Sequence, residues 1–238
     1  MDNATYATLN RQSGLMNEMR AIANNIANLS TTGFRKEGVV FAEFVADLGQ
    51  AEPSLSMANA DARIINLAQG PLTQTGGTFD FAIEGDGFFM VETPEGNRLT
   101  RAGSFTPSPE GELVTPDGHR LLDLGGAPIV VPLDAGAIAA ARDGTISVSG
   151  NPIAQIGLFL PTDPNDLTHD GGTRFAAKGG VEPYEGANIF QGFLENSNVN
   201  AIGEIARMIE VQRAYEIGQG FLEKEDARIR SVIQAMSR

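Results

Sequence analysis

Apolar positions at the two ends of the chain recur with a helical step, and those in the middle recur with a strand-like one. Near the N-terminus Leu15, Met19, Ile22, Ile26 and Leu29 follow spacings of 4, 3, 4 and 3. This is a heptad seam, which predicts a helix from about Ala4 to Leu29, roughly 39 Å long at 1.5 Å per residue. Near the C-terminus Met208, Val211, Tyr215, Gly218, Leu222, Glu225, Ile229, Val232 and Met236 keep the same alternation. A helix from about Val199 to Met236 would reach roughly 57 Å. Each stripe is backed by polar residues, and Glu204–Arg207, Glu210–Arg213 and Glu225–Arg228 are spaced to pair along the exposed side. A lone amphipathic helix is marginal in water. The two stripes are therefore expected to pack on each other or on neighbouring molecules, unless each merely caps the central region.

Between the ends the punctuation changes. Phe79 to Ile83 and Phe88 to Glu92 read as strands separated by Glu84-Gly85-Asp86-Gly87. Turn signals recur at Pro94 to Asn97, Pro109 to Glu112, Pro116-Asp117-Gly118, Asp143-Gly144 and Ser149 to Pro152. Short runs between such turns predict a central barrel or sandwich. Residues 35–75 are expected to form an extended connector with local hairpin structure, and 161–186, rich in Pro, Gly and Asp, a loop with little regular structure. The division is 1–34 N-terminal helix, 35–75 connector, 76–195 β-rich domain and 196–238 C-terminal helix. The fold class is α+β, with the terminal helices paired as a coiled coil.

Charge sharpens this division. Of 238 residues, 17 are Lys or Arg and 30 are Asp or Glu, giving a net charge of −13. Residues 1–34 balance to zero, as do 197–238, so the middle carries the whole excess. That argues against nucleic acid or an anionic membrane surface as partner. No apolar run approaches the ~20 residues of a spanning helix, and the first 30 residues lack the core of a cleaved signal. With no cysteine, a disulfide framework, a thiolate metal site and a Cys nucleophile are excluded.

Candidate chemistry is sparse. Asp163, Asn165, Asp166 and Asp170 superficially match a calcium loop, but the Gly and Glu that its spacing demands are missing. His119 and His169 lie in turn-rich segments without a nucleophile elbow. Gly85 and Gly87 do not open a helix, so a phosphate cradle is unsupported. No catalytic, cofactor or metal residues are assigned.

Four stretches together carry a resemblance. ANNIANLSTTGFR (Ala23 to Arg35), GDGFFMV (Gly85 to Val91), LTRAGSFTPSPEGELVTPDGHRLL (Leu99 to Leu122) and LENSNVNAIGEIARMIEVQRAYE (Leu194 to Glu216) occur in the order of the rod and hook family of bacterial flagellar axial proteins. The opening Met1-Asp2-Asn3 with Tyr6 is more similar to proximal than to distal rod members, the latter being the alternative. The resemblance implies a non-enzymatic structural subunit, whose terminal helices form an inner domain lining a hollow assembly that transmits torque. It implies other rod proteins and further copies of itself as partners, and export through the flagellar type III apparatus into the periplasm without signal cleavage. A peptidoglycan-acting enzyme and a soluble adaptor are the rivals from other classes.

On that reading the assembly residues are Leu15, Met19, Ile22, Asn24, Asn25, Ile26, Asn28 and Leu29 on the first helix. On the second they are Met208, Val211, Gln212, Arg213, Tyr215, Leu222, Ile229 and Val232. The asparagines either fix register between chains, as polar seam residues do, or simply end the helix. Gly203 and Gly218 either admit a close neighbour or are weak points costing about 1 kcal/mol each.

Overall fold

The computed structural model describes residues 2–46, 55–132 and 136–236. Two helices, α1 (Asp2–Ala27) and α2 (Ala201–Met236), bracket a mainly-β middle, and the fold is α+β. Among the described residues no helix is long and apolar enough to cross a membrane.

The chain divides into two compact units. One holds Met1–Ala27, Glu37–Ile64 and Asn200–Arg238; the other holds Asn28–Lys36 and Ile65–Val199. The backbone therefore passes from one unit to the other four times, after Ala27, Lys36, Ile64 and Val199.

In the helical unit α1 and α2 run antiparallel. Gln12 lies beside Gly218, Glu18 beside Arg207 and Asn25 beside Glu204. Two long strands, β1 (Glu37–Ala46) and β2 (Leu55–Ile65), pair as a ribbon, and β1 packs on α1. These strands fall in the segment expected to be an extended connector. α1 stops at Ala27, before Asn28 and Leu29. There the Thr31 N–H donates to the Asn28 carbonyl and the Thr31 hydroxyl to the Asn28 side chain. Such local bonds compete with the helical ladder and turn the chain. α2 begins at a capped end: the Asn200 side chain accepts from the Gly203 N–H at 3.0 Å.

Among the described residues the β unit contains sixteen further strands. In chain order they are β3 (Leu72–Gln74), β4 (Phe81–Glu84), β5 (Phe88–Thr93), β6 (Gly96–Thr100), β7 (Thr106–Pro107), β8 (Leu113–Val114), β9 (Arg120–Leu121) and β10 (Ile138–Ala140). They continue as β11 (Thr145–Val148), β12 (Asn151–Gln155), β13 (Leu158–Pro161), β14 (Leu167–His169), β15 (Arg174–Ala177), β16 (Val181–Pro183), β17 (Asn188–Gln191) and β18 (Phe193–Glu195). The main sheet runs β14-β15-β6-β5-β9-β8-β7, with β13 joining β5 and β16. Smaller sheets are β10-β11-β12, β17-β4 and β18-β3.

Strand β5 shows why this region folds as it does. Its side chains alternate between two faces, as the period of two requires. Phe89 and Val91 enter one core with Phe81, Leu113, Leu121 and Ile146. Phe88 and Met90 enter a second with Leu99, Phe159, Leu167 and Phe175. A strand buried on both faces reads as an unbroken apolar run, as Phe88-Phe89-Met90-Val91 does.

The second core also corrects the expectation for 161–186. That segment forms β14, β15 and β16, and it does so because Leu167 and Phe175 are buried in this core. The acidic residues that superficially resembled a calcium loop have other work. Asp163 caps a short 3-10 turn at Pro164–Asp166, and Asp170 pairs with Arg98. His169 packs between the rings of Phe34, 5.4 Å away, and Phe175, 4.5 Å away.

Candidate functional site

Two constellations stand out, one in each unit. In the helical unit Leu15, Ile22 and Val211 are fully buried, and Met19, Ile26, Met208, Ala214 and Tyr215 pack around them. Seven predicted seam residues are thus brought together, four from one helix and three from the other before Ala214 is added to them. Gly218 lies at the same contact. A Cβ there would meet the Gln12 side chain at 3.2 Å, which favours close approach over a tolerated weak point. Gly203 meets only the capping Asn200 at 3.7 Å or more.

Asn25 is wholly buried and makes three hydrogen bonds inside the same unit. Its amide donates to the Glu37 carbonyl at 2.8 Å and to the Glu204 carboxylate at 3.0 Å. Its carbonyl accepts from the Glu37 N–H at 2.9 Å. One side chain thus joins α1, α2 and the start of β1. Glu204, expected on the exposed face beside Arg207, is buried against Asn25 instead. It lies about two turns before Val211, and so on the same face of the helix. Arg207 reaches Glu18 at 2.6 Å and Glu210 at 3.2 Å. The hydrogen bond that Arg207 donates to the Glu18 carboxylate raises the pKa of the guanidinium above its ordinary value.

The other predicted residues are not drawn into this seam. Leu222 is half-buried, and Ile229 and Val232 are each 49% exposed, though they continue the stripe of Val211 along α2. Gln212, Arg213 and Asn24 lie on the exposed surface. Asn28 and Leu29 lie past the end of α1, among the residues of the β unit. Sequence reasoning missed a second apolar patch. Ile202, Ile205 and Ile209 are exposed and sit roughly opposite Val211 at 100° per residue. A groove of 300 Å³ runs beside the seam, bounded by Arg11, Gln12, Leu15, Ile217, Gly218 and Phe221.

In the β unit the charged residues of three motif stretches meet. Arg35 Nη1 lies 2.6 Å from Glu195 Oε1, and Arg101 Nη1 lies 3.2 Å from Glu195 Oε2. The Gly70 N–H donates to Glu195 Oε1 at 2.7 Å, and the Gly33 N–H to the Glu195 main-chain carbonyl at 2.7 Å. Arg101 Nη2 donates to the Gly85 carbonyl at 2.7 Å, which brings in the remaining stretch. Burial lowers the Arg101 guanidinium to about 10 despite the attraction of Glu195, and lowers Arg35 for the same reason. Gly33 is held at φ +71, and a Cβ on it would meet the Ala102 nitrogen at 2.2 Å, so only glycine fits there. Asn198 adds a second tie. It accepts from the Lys36 N–H at 2.7 Å and donates to the carbonyls of Asn66 and Ala68. Each of Arg35, Arg101 and Glu195 falls within a motif stretch, but those stretches carry other charged residues too, and no local spacing singles these three out.

These constellations hold a chain together and leave apolar helix surface uncovered. They are the packing and charge ties of a structural subunit. Comparison with known proteins agrees. Residues 6–35 match the family described as "Flagella basal body rod protein", 82–148 the "Flagellar hook protein FlgE/F/G D1 domain", and 191–235 the "Flagellar basal body rod FlgEFG protein C-terminal". The flagellar basal-body rod protein FlgF of Caulobacter vibrioides is 37% identical over 100% of this chain and 99% of its own length. FlgF of Mesorhizobium japonicum is 37% identical over 91% of this chain and 90% of its own. FlgG of Bacillus subtilis, another flagellar basal-body rod protein, is 28% identical over 98% of each chain. The chain belongs to the flagellar basal-body rod proteins, and within them it is more similar to these FlgF relatives than to that FlgG.

Proposed function

We propose that the chain is a proximal-rod subunit that joins its neighbours through its terminal helices. Family membership makes it a structural component of the flagellar basal body and not an enzyme. The observation that carries the mode of assembly is the stripe of α2. Where it meets α1, Val211 is buried; further along, Ile229 and Val232 keep the same face and remain half exposed. Burying such side chains against a neighbour is worth about 1.5–3 kcal/mol each before entropy costs. Head-to-tail contacts of this kind do not close on a dimer and so build a tube. In the rod, α1 and α2 act as a coiled coil, with the uncovered residues of both predicted sets meeting other rod proteins and further copies of this chain.

The same reading has the subunit leave the cell through the flagellar type III export apparatus and take its place in the periplasm-spanning rod. The test is Ile229→Asp, which places a charge on exposed stripe without touching the buried seam. The purified variant is expected to give the wild-type circular dichroism spectrum and melting curve, while cells carrying it lose swimming in soft agar and lack assembled rods. Normal swimming would overturn the proposal.

A further inference from the structure

We infer that the β unit binds one small monovalent anion, of halide size, between Arg35 and Arg101. The side chains of Arg35, Arg101 and Glu195 are 0%, 3% and 0% exposed. Two guanidinium groups and one carboxylate leave a buried net charge of +1. Such a charge is costly unless it is compensated where it lies.

The donors are arranged to receive a counter-ion. Arg35 Nη1 serves both the Glu195 carboxylate and the Ala68 carbonyl at 2.8 Å. Among the described residues, Arg35 Nε and Nη2 meet no acceptor. Those two N–H groups point in parallel from one edge of the planar guanidinium, the edge that grips anions with two bonds. Arg101 Nη1 and Nη2 are taken by Glu195 and Gly85, and its Nε also meets no acceptor of the protein. Three donor nitrogens on two cations that share Glu195 are thus left over.

Other groups do not replace the missing charge. Asp86 attracts Arg101, but more weakly than Glu195 does, and it lies exposed in the turn before β5. The Phe88 ring, whose centroid lies 5.2 Å from the Arg101 guanidinium carbon, attracts the cation by its face but carries no net charge. A water would satisfy a donor while leaving the +1 in place.

The test compares the full-length protein in sodium chloride and in sodium gluconate at equal ionic strength and pH. A ligand that binds only the folded state raises the unfolding temperature with its concentration. For a chain of this size the β-unit transition is expected to rise about 3–6 °C per tenfold increase in chloride above its dissociation constant, and not at all with gluconate. Arg101→Lys keeps the charge and removes Nε, and is expected to raise the chloride concentration at which stabilisation sets in at least about threefold, a loss of donor geometry. Because that variant could also fold poorly, wild-type crystals soaked in bromide supply an independent reading. The expected anomalous peak lies at hydrogen-bonding distance from Arg35 Nε and Nη2. Equal transitions in the two salts, or bromide found only elsewhere, would overturn the inference and leave water as the partner of these donors.

Discussion

The β unit closes two cores of its own, whereas the helical unit, among the described residues, buries Leu15, Ala21, Ile22 and Val211 and leaves several isoleucines exposed. In the β unit a strand such as β5 is covered on both faces by residues of the same chain. In the helical unit α2 is covered along part of one face, and Ile202 and Ile217 are 81% and 75% exposed. The two regions draw on the same kinds of residue, so the difference lies in who supplies the cover. A β unit that satisfies itself holds its shape alone. A helix pair with surplus apolar surface is suited to neighbours.

The largest expected effect tests the self-sufficiency of the β unit. Glu195→Ala leaves Arg35 and Arg101 buried without their carboxylate, which should cost about 3–5 kcal/mol. Differential scanning calorimetry should show the β-unit transition lowered or lost, and an unchanged transition would contradict the role given to Glu195. Ile22→Ala probes the helical side, with an expected cost of about 2–4 kcal/mol. Hydrogen exchange should speed up in α1 and α2 while amides of β5 stay protected. Equal acceleration in both regions would show that they do not differ as described. Asn25→Ala leaves the Glu37 backbone groups and Glu204 without this partner, for about 1–3 kcal/mol, read by the same exchange experiment at the start of β1. The smallest effect is expected from Arg207→Ala. Its bond to Glu18 is partly exposed, so the loss should be about 1 kcal/mol or less and shrink further in high salt. A loss that is independent of salt would argue for packing by the arginine stem instead.

The helices were legible because a heptad stripe needs only local spacing to be seen, and Leu15, Ile22 and Val211 do meet. The strands around Phe88 to Val91 were legible for a similar reason, since their apolar run is bounded by glycine turns. What could not be read depends on contacts between distant residues. Glu204 looked like a surface partner for Arg207, yet Asn25, 179 positions away, draws it inside. Leu167 and Phe175 sit among Pro, Gly and Asp, and only the core they enter shows that their segment is strand. Arg35, Arg101 and Glu195 were each quoted within a motif, but nothing in their spacing along the chain announces that they converge. Asn28 and Leu29 kept the helical spacing beyond the point where side-chain bonds to the turn end the helix.

The four passages of the backbone between the units carry a mechanical consequence. A domain hung on one linker swivels about it, and a pull on it is borne by a single strand. Here any load entering through α1 or α2 is divided among four covalent tethers, at Ala27, Lys36, Ile64 and Val199. On the β side the ends of three of these tethers are cross-tied, with Lys36, Asn66 and Asn198 bonded to one another. Cutting any single tether should therefore soften the link without severing it.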